Sequence, residues 1–462
     1  MARAKSPSWV PSIERGEAPV YLAVADALAA DIGAGRLVPG AQLPSQRALA
    51  QALKVDFTTI SRAYNEARDR GLIEGRAGQG TFVRGAVASA STTTSAGMVD
   101  MSMNLPPLLE DAALSARIWR DIGTIEQSGG LPLLLRYQDS GGALHDRRAG
   151  AAWLAPRMGE VDPNQILITA GAQGALAAVM GTLAAASDAI CVEEMTYPGL
   201  KALAEFLNLQ LLPVAMDQDG LIPDALEEIC AVSRPKALYC MPTIHNPTTT
   251  TMPLARREAL VAVARRHGLP IVEDDAYGML PTHAAPTLAQ LAPELTYYVG
   301  GIAKTLSPAL RIAYLLAPDV RMAARMNGGV RATTLMASPL SSAIATRWIE
   351  SGTAHALLDA IRRASSERRR LASHLLPTAK MDKAGFHAWL PLGAGWQRGA
   401  FVSSLRNAGI GVVASDAFAV GPATEAVRLS LGSAATLAEL DCSLRVIADL
   451  LDRPEALSEM IV

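Results

Sequence analysis

Lys304, in the stretch "YYVGGIAKTLSPALRIAYLLAP", stands between an apolar run and Arg311, seven residues on. An ammonium is costly to bury at the end of an apolar strand, and desolvation loosens its proton and makes the amine a nucleophile toward aldehydes. Other segments also set polar groups just after apolar runs. "LPIVEDDAYG" places Asp274 and Tyr277 three apart, "MPTIHNPTT" places Asn246, and "EEMTYPG" places Tyr197. "ITAGAQGAL" opens a helical pattern with Gly171, Ala172 and Gln173, and amides at a helix start can hold a phosphate. Taken singly, each has an ordinary role: a strand-end lysine at the surface, an aspartate capping a helix, a tyrosine in a core. Together they occupy the strand ends where α/β sheets gather ligand groups.

The elements that must position these groups follow from the pattern. "QILITA", "AICVEE", "KALYCMP", "LPIVEDD" and "LTYYVG" alternate with helical stretches, which implies parallel strands joined by helical crossovers. After Gly352, helical patterns lead to "GFHAWLPL", "GIGVVAS" and "AVRLSLGS", a smaller α+β lobe. The 462 residues are half hydrophobic and 19% charged, enough for two or three packed domains. Cys191, Cys230, Cys240 and Cys442 show no CxxC spacing, so neither a disulfide framework nor a metal site is expected. The start, "MARAKSPSWVPSIERGEAP", has no continuous apolar stretch to serve as a signal peptide. The longest uncharged run, "PNQILITAGAQGALAAVMGTLAAAS", is too weakly apolar to span a bilayer and reads as strand, turn and helix. A cytoplasmic chain with no membrane partner is expected.

Residues 1–84 hold 11 Lys/Arg and 8 Asp/Glu, a charge of +3 that leaves −5 for the rest. Within this basic head, Tyr21, Val24, Leu28 and Ile32 keep a helical period, and Ser45 caps a short helix carrying Ala48, Leu49, Ala52 and Leu53. A turn at Lys54–Asp56 leads to a second helix with Ile60, Ala63, Tyr64 and Ala67 on its apolar face. Thr58, Thr59, Ser61 and Arg62 lie opposite, suited to base edges and phosphates in a major groove. "LIEGRAGQGTFV" reads as a two-stranded wing. "GAVASASTTTSAG", Gly85–Gly97, has the composition of a flexible tether with a reach of roughly 20 Å.

"LPSQRALA" and "TISRAY" make the head resemble the GntR family of winged helix-turn-helix regulators. That resemblance implies DNA binding through Ser45, Arg47, Phe57, Thr58, Thr59, Arg62 and the wing's Arg76; Phe57 stands where many members carry an arginine. From about Asn104 onward, the ordered set of polar residues resembles the fold-type I aminotransferases, which bind pyridoxal 5′-phosphate. The resemblance implies that Lys304 forms the internal aldimine, Asp274 pairs with the ring nitrogen, and Asn246 and Tyr277 bond the ring hydroxyl. Tyr197 would stack on the ring; Arg311, with Gly171, Ala172 and Gln173, would hold the phosphate, and Tyr137 in "LLRYQDSGG" would reach it from a partner subunit. Arg428 in "AVRLSLGS" would bind an effector carboxylate.

The chain departs from the family pattern at Gly301, Ala303 and Ala172, where relatives carry hydroxyls, and at Thr249, where they carry glycine. Head plus body resembles the MocR subfamily of bacterial regulators, with residues 1–84 as DNA-binding domain, 85–98 as linker and 99–462 as effector and dimerisation domain. The implied function is a homodimeric, pyridoxal-phosphate-dependent regulator that senses an amine, an amino acid or the cofactor itself. Two alternatives stay open: a working aminotransferase with an appended head, and a regulator whose body no longer binds the cofactor.

Overall fold

The computed structural model describes residues 9–11, 19–33, 36–37, 40–70, 72–76, 80–83, 98–127, 131–393 and 395–452. They fall into two compact units, Met1–Ala96 and Gly97–Val462. The expected tether Gly85–Gly97 lies outside the described residues.

In the first unit, α1 (Val20–Gly33), α2 (Gln46–Leu53) and α3 (Phe57–Asp69) precede an antiparallel pair, β1 (Ile73–Arg76) and β2 (Gly80–Val83). Ser45 caps α2 by accepting from the Ala48 amide at 3.3 Å, and Lys54 ends it in the left-handed region at φ 52°. Asp56 then caps α3, accepting from the Thr58 amide at 2.7 Å. The turn between the helices is therefore set by local hydrogen bonds. Leu28, Leu49, Ile60, Ala63, Tyr64 and Ala67 close over one core. Each large aliphatic among them contributes about 1.5–3 kcal/mol on burial. The tyrosine joins this core because its hydroxyl is satisfied, donating to the Pro44 carbonyl at 2.8 Å.

The second unit is built on seven strands: β4 (Ile166–Thr169), β5 (Ala189–Glu193), β6 (Gln210–Val214), β7 (Ala237–Cys240), β8 (Ile271–Asp274), β9 (Thr296–Gly301) and β10 (Ala313–Leu316); β3 (Val99–Asp100) precedes them. Their order across the sheet is β4-β10-β9-β8-β7-β5-β6. Strands β5 to β9 pair in parallel, whereas β10 runs antiparallel to both β9 and β4. The reversed β10 was not expected from the alternation of strands and helices, because a run buried on both faces, such as "AYLL", carries no sign of its direction. Its consequence is functional. The start of β10 lies beside the carboxyl end of β9, so Arg311, just before β10, reaches the same sheet edge as Lys304, just after β9.

The smaller lobe carries β11 (His387–Pro391), β12 (Ile410–Gly411), β13 (Val413–Ala414) and β14 (Ala426–Ser430), with β14 between β11 and β13. Strand β3 pairs in parallel with β12 through Val99↔Ile410 and Asp100↔Gly411. The chain thus enters the body through the small lobe before passing over the large one. Among the described residues no helix is long and apolar enough to cross a membrane, and no group of three or more His, Cys, Asp or Glu is placed to hold a metal.

Candidate functional site

Helix α4 (Gly171–Leu183) follows β4 and helix α5 (Pro198–Phe206) follows β5. Because β4, β5, β7, β8 and β9 share one direction, the residues just past their ends converge on one edge. There they line a cavity of about 450 Å³ with Gly171, Ala172, Gln173, Tyr197, Asn246, Asp274, Tyr277, Lys304 and Arg311. The small lobe closes it with Arg428 from β14 and with Val413, Ala417 and Phe418. Ten of the eleven residues singled out in the body therefore meet. The eleventh, Tyr137, is 83% exposed and lines a separate cleft of about 1050 Å³ with Arg136, His145 and Arg347.

The amine of Lys304 donates to the backbone carbonyl of Asn104. Burial, reinforced by the positive charges of Arg428 and Arg311, brings its pKa down from 10.5 to about 8, while Asp274 opposes the shift. Asp274 is buried and titrates at about 7. Desolvation raises it, a hydrogen bond from Tyr239 lowers it, and the Asp275 and Glu193 carboxylates raise it further. Its Oδ2 accepts from the Tyr239 hydroxyl at 2.9 Å, while its Oδ1 is buried without a partner. Tyr277 accepts from the Asn104 side-chain amide at 2.7 Å.

Arg428 is buried, with Nη1 donating to Asn246 Oδ1 at 3.0 Å, Nη2 to the Ser102 carbonyl, and Nε buried without a partner. Its guanidinium stands 5.1 Å from the centroid of the Phe418 ring. Gln173 is anchored from its side chain to the Gly199 carbonyl at 2.8 Å. A Cβ at Gly199 would lie 2.4 Å from the Tyr197 ring, so only glycine lets that ring lie where it does.

The departures from the family pattern take physical form here. Gly171 opens α4 at φ +74°, and a Cβ there would stand 3.4 Å from the Arg311 guanidinium, so the cation lies against the amide end of the helix. Gly301 and Ala172 face each other, with a Cβ at Gly301 only 3.4 Å from that of Ala172. Thr249 keeps a left-handed conformation, φ 65°, an uncommon one for a β-branched residue.

Ser102, Asn104 and Phe418 at the cavity, and Tyr239 bonded behind it to Asp274, are among the residues that the sequence reading did not single out. Tyr239 lies inside the strand "ALYC", where an aromatic residue reads as core. Ser102 and Asn104 precede the body's motifs and Phe418 falls between "GIGVVAS" and "AVRLSLGS", so none of the three lies in a segment that marked the site.

In the first unit, Arg47, Phe57, Thr58 and Arg62 are exposed and Thr59 is half-buried, while Ile60, Ala63, Tyr64 and Ala67 face the core. Ser45 is occupied as the α2 cap. The Thr58 hydroxyl donates to Asp56 Oδ1 at 2.5 Å, so it has acceptor capacity left to offer but not its proton. Arg76 ends β1 opposite Gly80, and its side chain lies outside the described residues.

Comparison with known proteins agrees with both halves. Residues 97–447 match the family "Aminotransferase class I and II", and residues 20–83 match "Bacterial regulatory proteins, gntR family". An uncharacterized HTH-type transcriptional regulator of Bacillus subtilis, YdeF, is 30% identical over 96% of this chain and 97% of its own. The probable rhizopine catabolism regulatory protein MocR of Rhizobium meliloti is 26% identical over 65% of this chain and 66% of its own. Among solved structures, LysN, the α-aminoadipate aminotransferase of Thermus thermophilus in complex with N-(5′-phosphopyridoxyl)-L-leucine, superposes with a TM-score of 0.70. It is 25% identical, over 79% of this chain and 94% of that one.

Proposed function

The chain belongs to the aminotransferase class I and II family and carries a gntR-family head, the arrangement of the MocR-type regulators, and on that premise we propose that its body senses a ligand and changes the grip of its head on operator DNA. The ligand is an amine, an amino acid or pyridoxal 5′-phosphate itself. Residues 1–84 form the DNA-binding domain, 85–98 the linker and 99–462 the effector and dimerisation domain of a cytoplasmic homodimer. The convergence of Lys304, Asp274, Arg311 and Arg428 on one cavity carries this reading.

The residues present fit pyridoxal phosphate. The cavity offers a partnerless buried carboxylate oxygen in Asp274 and an arginine laid against a helix amide end. Arg311 and the first amides of α4 would hold the phosphate, Asp274 the ring nitrogen, Tyr197 the ring face, and Asn246 and Tyr277 the ring hydroxyl; Tyr137 would reach the phosphate of a second copy. When bound, the cofactor supplies an aldehyde and an electron-withdrawing ring.

The chain's own residues do the rest. With a pKa of about 8, Lys304 keeps a neutral, nucleophilic fraction at pH 7 that an ordinary lysine lacks. Arg428 offers a buried fork to a carboxylate, which must displace the Ser102 carbonyl or Asn246 Oδ1 to use it. Without hydroxyls at Gly301, Ala303 and Ala172, the phosphate depends on Arg311, backbone amides and a second copy. Each hydrogen bond missing to a charged group costs about 1.5–3 kcal/mol. Occupancy then responds to concentration, which suits sensing better than turnover.

Absorbance of the purified protein titrated with pyridoxal phosphate and then with candidate amines, alongside operator affinity, tests the reading. A ligand that changes the spectrum is expected to change operator affinity, and operator must change the affinity for that ligand by the same factor. Operator affinity indifferent to every such ligand, with sustained turnover of roughly 1 per second or more, would establish an enzyme instead. A protein that never takes up colour would leave the body as a dimerisation scaffold.

A further inference from the structure

Beneath the cavity floor, Tyr239 and Asp274 form a pair that no motif assigns. Strand β7 lies parallel to β8 with Tyr239 opposite Val272, so Tyr239 and Asp274 project from the same face of the sheet, diagonal to each other. A diagonal pair on adjacent strands is within reach of an aromatic side chain. The phenol spans it, donating to Asp274 Oδ2 at 2.9 Å. Tyr239 is fully buried and Asp274 is 3% exposed, so water does not compete for this bond. Asp274 lines the cavity, and with Oδ2 engaged its second oxygen, Oδ1, is buried and left without a hydrogen-bond partner.

We propose that Tyr239 is a positioning residue for Asp274: its hydroxyl fixes which carboxylate oxygen faces the ligand and weakens the hold of that carboxylate on a proton. The inference rests on the reading of the cavity as a pyridoxal phosphate site, where Asp274 would face the ring nitrogen. The proton between carboxylate and ring nitrogen sits on whichever is the stronger base. A phenol donating to the carboxylate weakens it as a base and leaves the proton on the ring, and a protonated ring withdraws electrons.

The other groups around Asp274 do not take this part. Glu193 on β5 and the adjacent Asp275 push its proton affinity up, as does burial, and Lys304 lowers it only as a cation. Tyr197, Tyr277 and Cys240 also feel its charge, but no hydrogen bond joins any of them to it. Among the described residues, the Tyr239 hydroxyl is the uncharged donor that counters the burial of Asp274.

The test reads the pH midpoint of the absorbance band of the Lys304-bound cofactor in the full-length protein. Tyr239→Phe removes the donor and leaves the ring in place; the midpoint is expected to rise by about one unit, a tenfold change in proton affinity. Site-specific 3-fluorotyrosine at position 239, a stronger donor of nearly the same shape, is expected to lower it, and remains informative if Tyr239→Phe fails to fold. In an Asp274→Asn background Tyr239→Phe should move nothing, because the group it acts through is gone. Shifts of the same sign for both Tyr239 variants, no shift in either, or an equal shift in the Asp274→Asn background would overturn the proposal. A wild-type protein that never binds the cofactor would instead overturn the reading on which it rests.

Discussion

The side-chain amide of Asn104 donates to the hydroxyl of Tyr277 at 2.7 Å, joining residues 173 apart in sequence. The backbone carbonyl of the same asparagine accepts from Lys304, and that of Ser102 accepts from Arg428. The segment just past β3 therefore touches both of the cavity's deepest cations. Since Asn104 donates to Tyr277, the phenolic proton is left to point elsewhere, toward any acceptor in the cavity. Asn104→Ala is expected to weaken pyridoxal phosphate binding two- to tenfold, the worth of one neutral hydrogen bond of about 0.5–1.5 kcal/mol, measured by absorbance titration. Unchanged affinity would show that Tyr277 needs no such help.

Capture of pyridoxal phosphate by Lys304 should depend on pH in a defined direction. With a pKa of about 8, the neutral fraction of the amine, and with it the rate of cofactor uptake, rises about fivefold from pH 7 to pH 8 and flattens above pH 9. Between about pH 8 and 10.5 the unfolded chain holds a proton here that the folded chain has released, so this group's contribution to stability increases with pH across that window. Stopped-flow absorbance at constant ionic strength reads the rate. Borohydride reduction should then fix a pyridoxyl group on the Lys304 peptide, and Lys304→Ala should leave none.

Arg428→Lys keeps a positive charge and loses the planar fork. Amino acids are expected to bind the cofactor-loaded protein tenfold or more weakly, from the loss of one charge-assisted bond worth about 1.5–3 kcal/mol, while simple amines without a carboxylate bind as before. Spectral titration with an amino acid and its decarboxylated counterpart separates the two. Equal losses for both would place Arg428 in the scaffold rather than at the ligand.

Substitutions in α3 should divide by what they touch. Thr59→Ala is expected to cost about 1–3 kcal/mol at one operator position, whereas Arg62→Ala weakens binding to all sequences alike and flattens the salt dependence. Footprinting and affinity at two salt concentrations distinguish these outcomes; full affinity in both variants would remove this helix from the groove.

Beside the cavity floor, Arg157 holds Asp275 in a fully buried pair at 2.9 Å, with further bonds to the Ala285 carbonyl at 2.6 Å and to Thr243 Oγ1 at 3.2 Å. Arg157→Ala strands a buried carboxylate and is expected to destabilise the body by about 3–5 kcal/mol, visible as a lowered urea midpoint with the head's DNA affinity retained.

Local chemistry made much of this protein legible from its residues alone. The head's helices begin where Ser45 and Asp56 can cap them and bury faces spaced at the helical period, so nearest neighbours along the chain decide them. The strand ends that carry Gly171, Tyr197, Asn246, Asp274 and Lys304 are marked by apolar runs giving way to polar residues, a signal contained within each segment. What the tertiary structure alone decided depends on distance in sequence. The antiparallel insertion of β10 brings Arg311 to the edge where Lys304 emerges, and β strands buried on both faces carry no mark of their direction. Tyr239 gains a role only because β7 lies beside β8 in a particular register, and Ser102 and Asn104 gain theirs because β3 pairs with β12, more than 300 residues away. A hydrogen bond between distant segments costs chain entropy that only the packed sheet and lobe repay, so no window of sequence could have contained it.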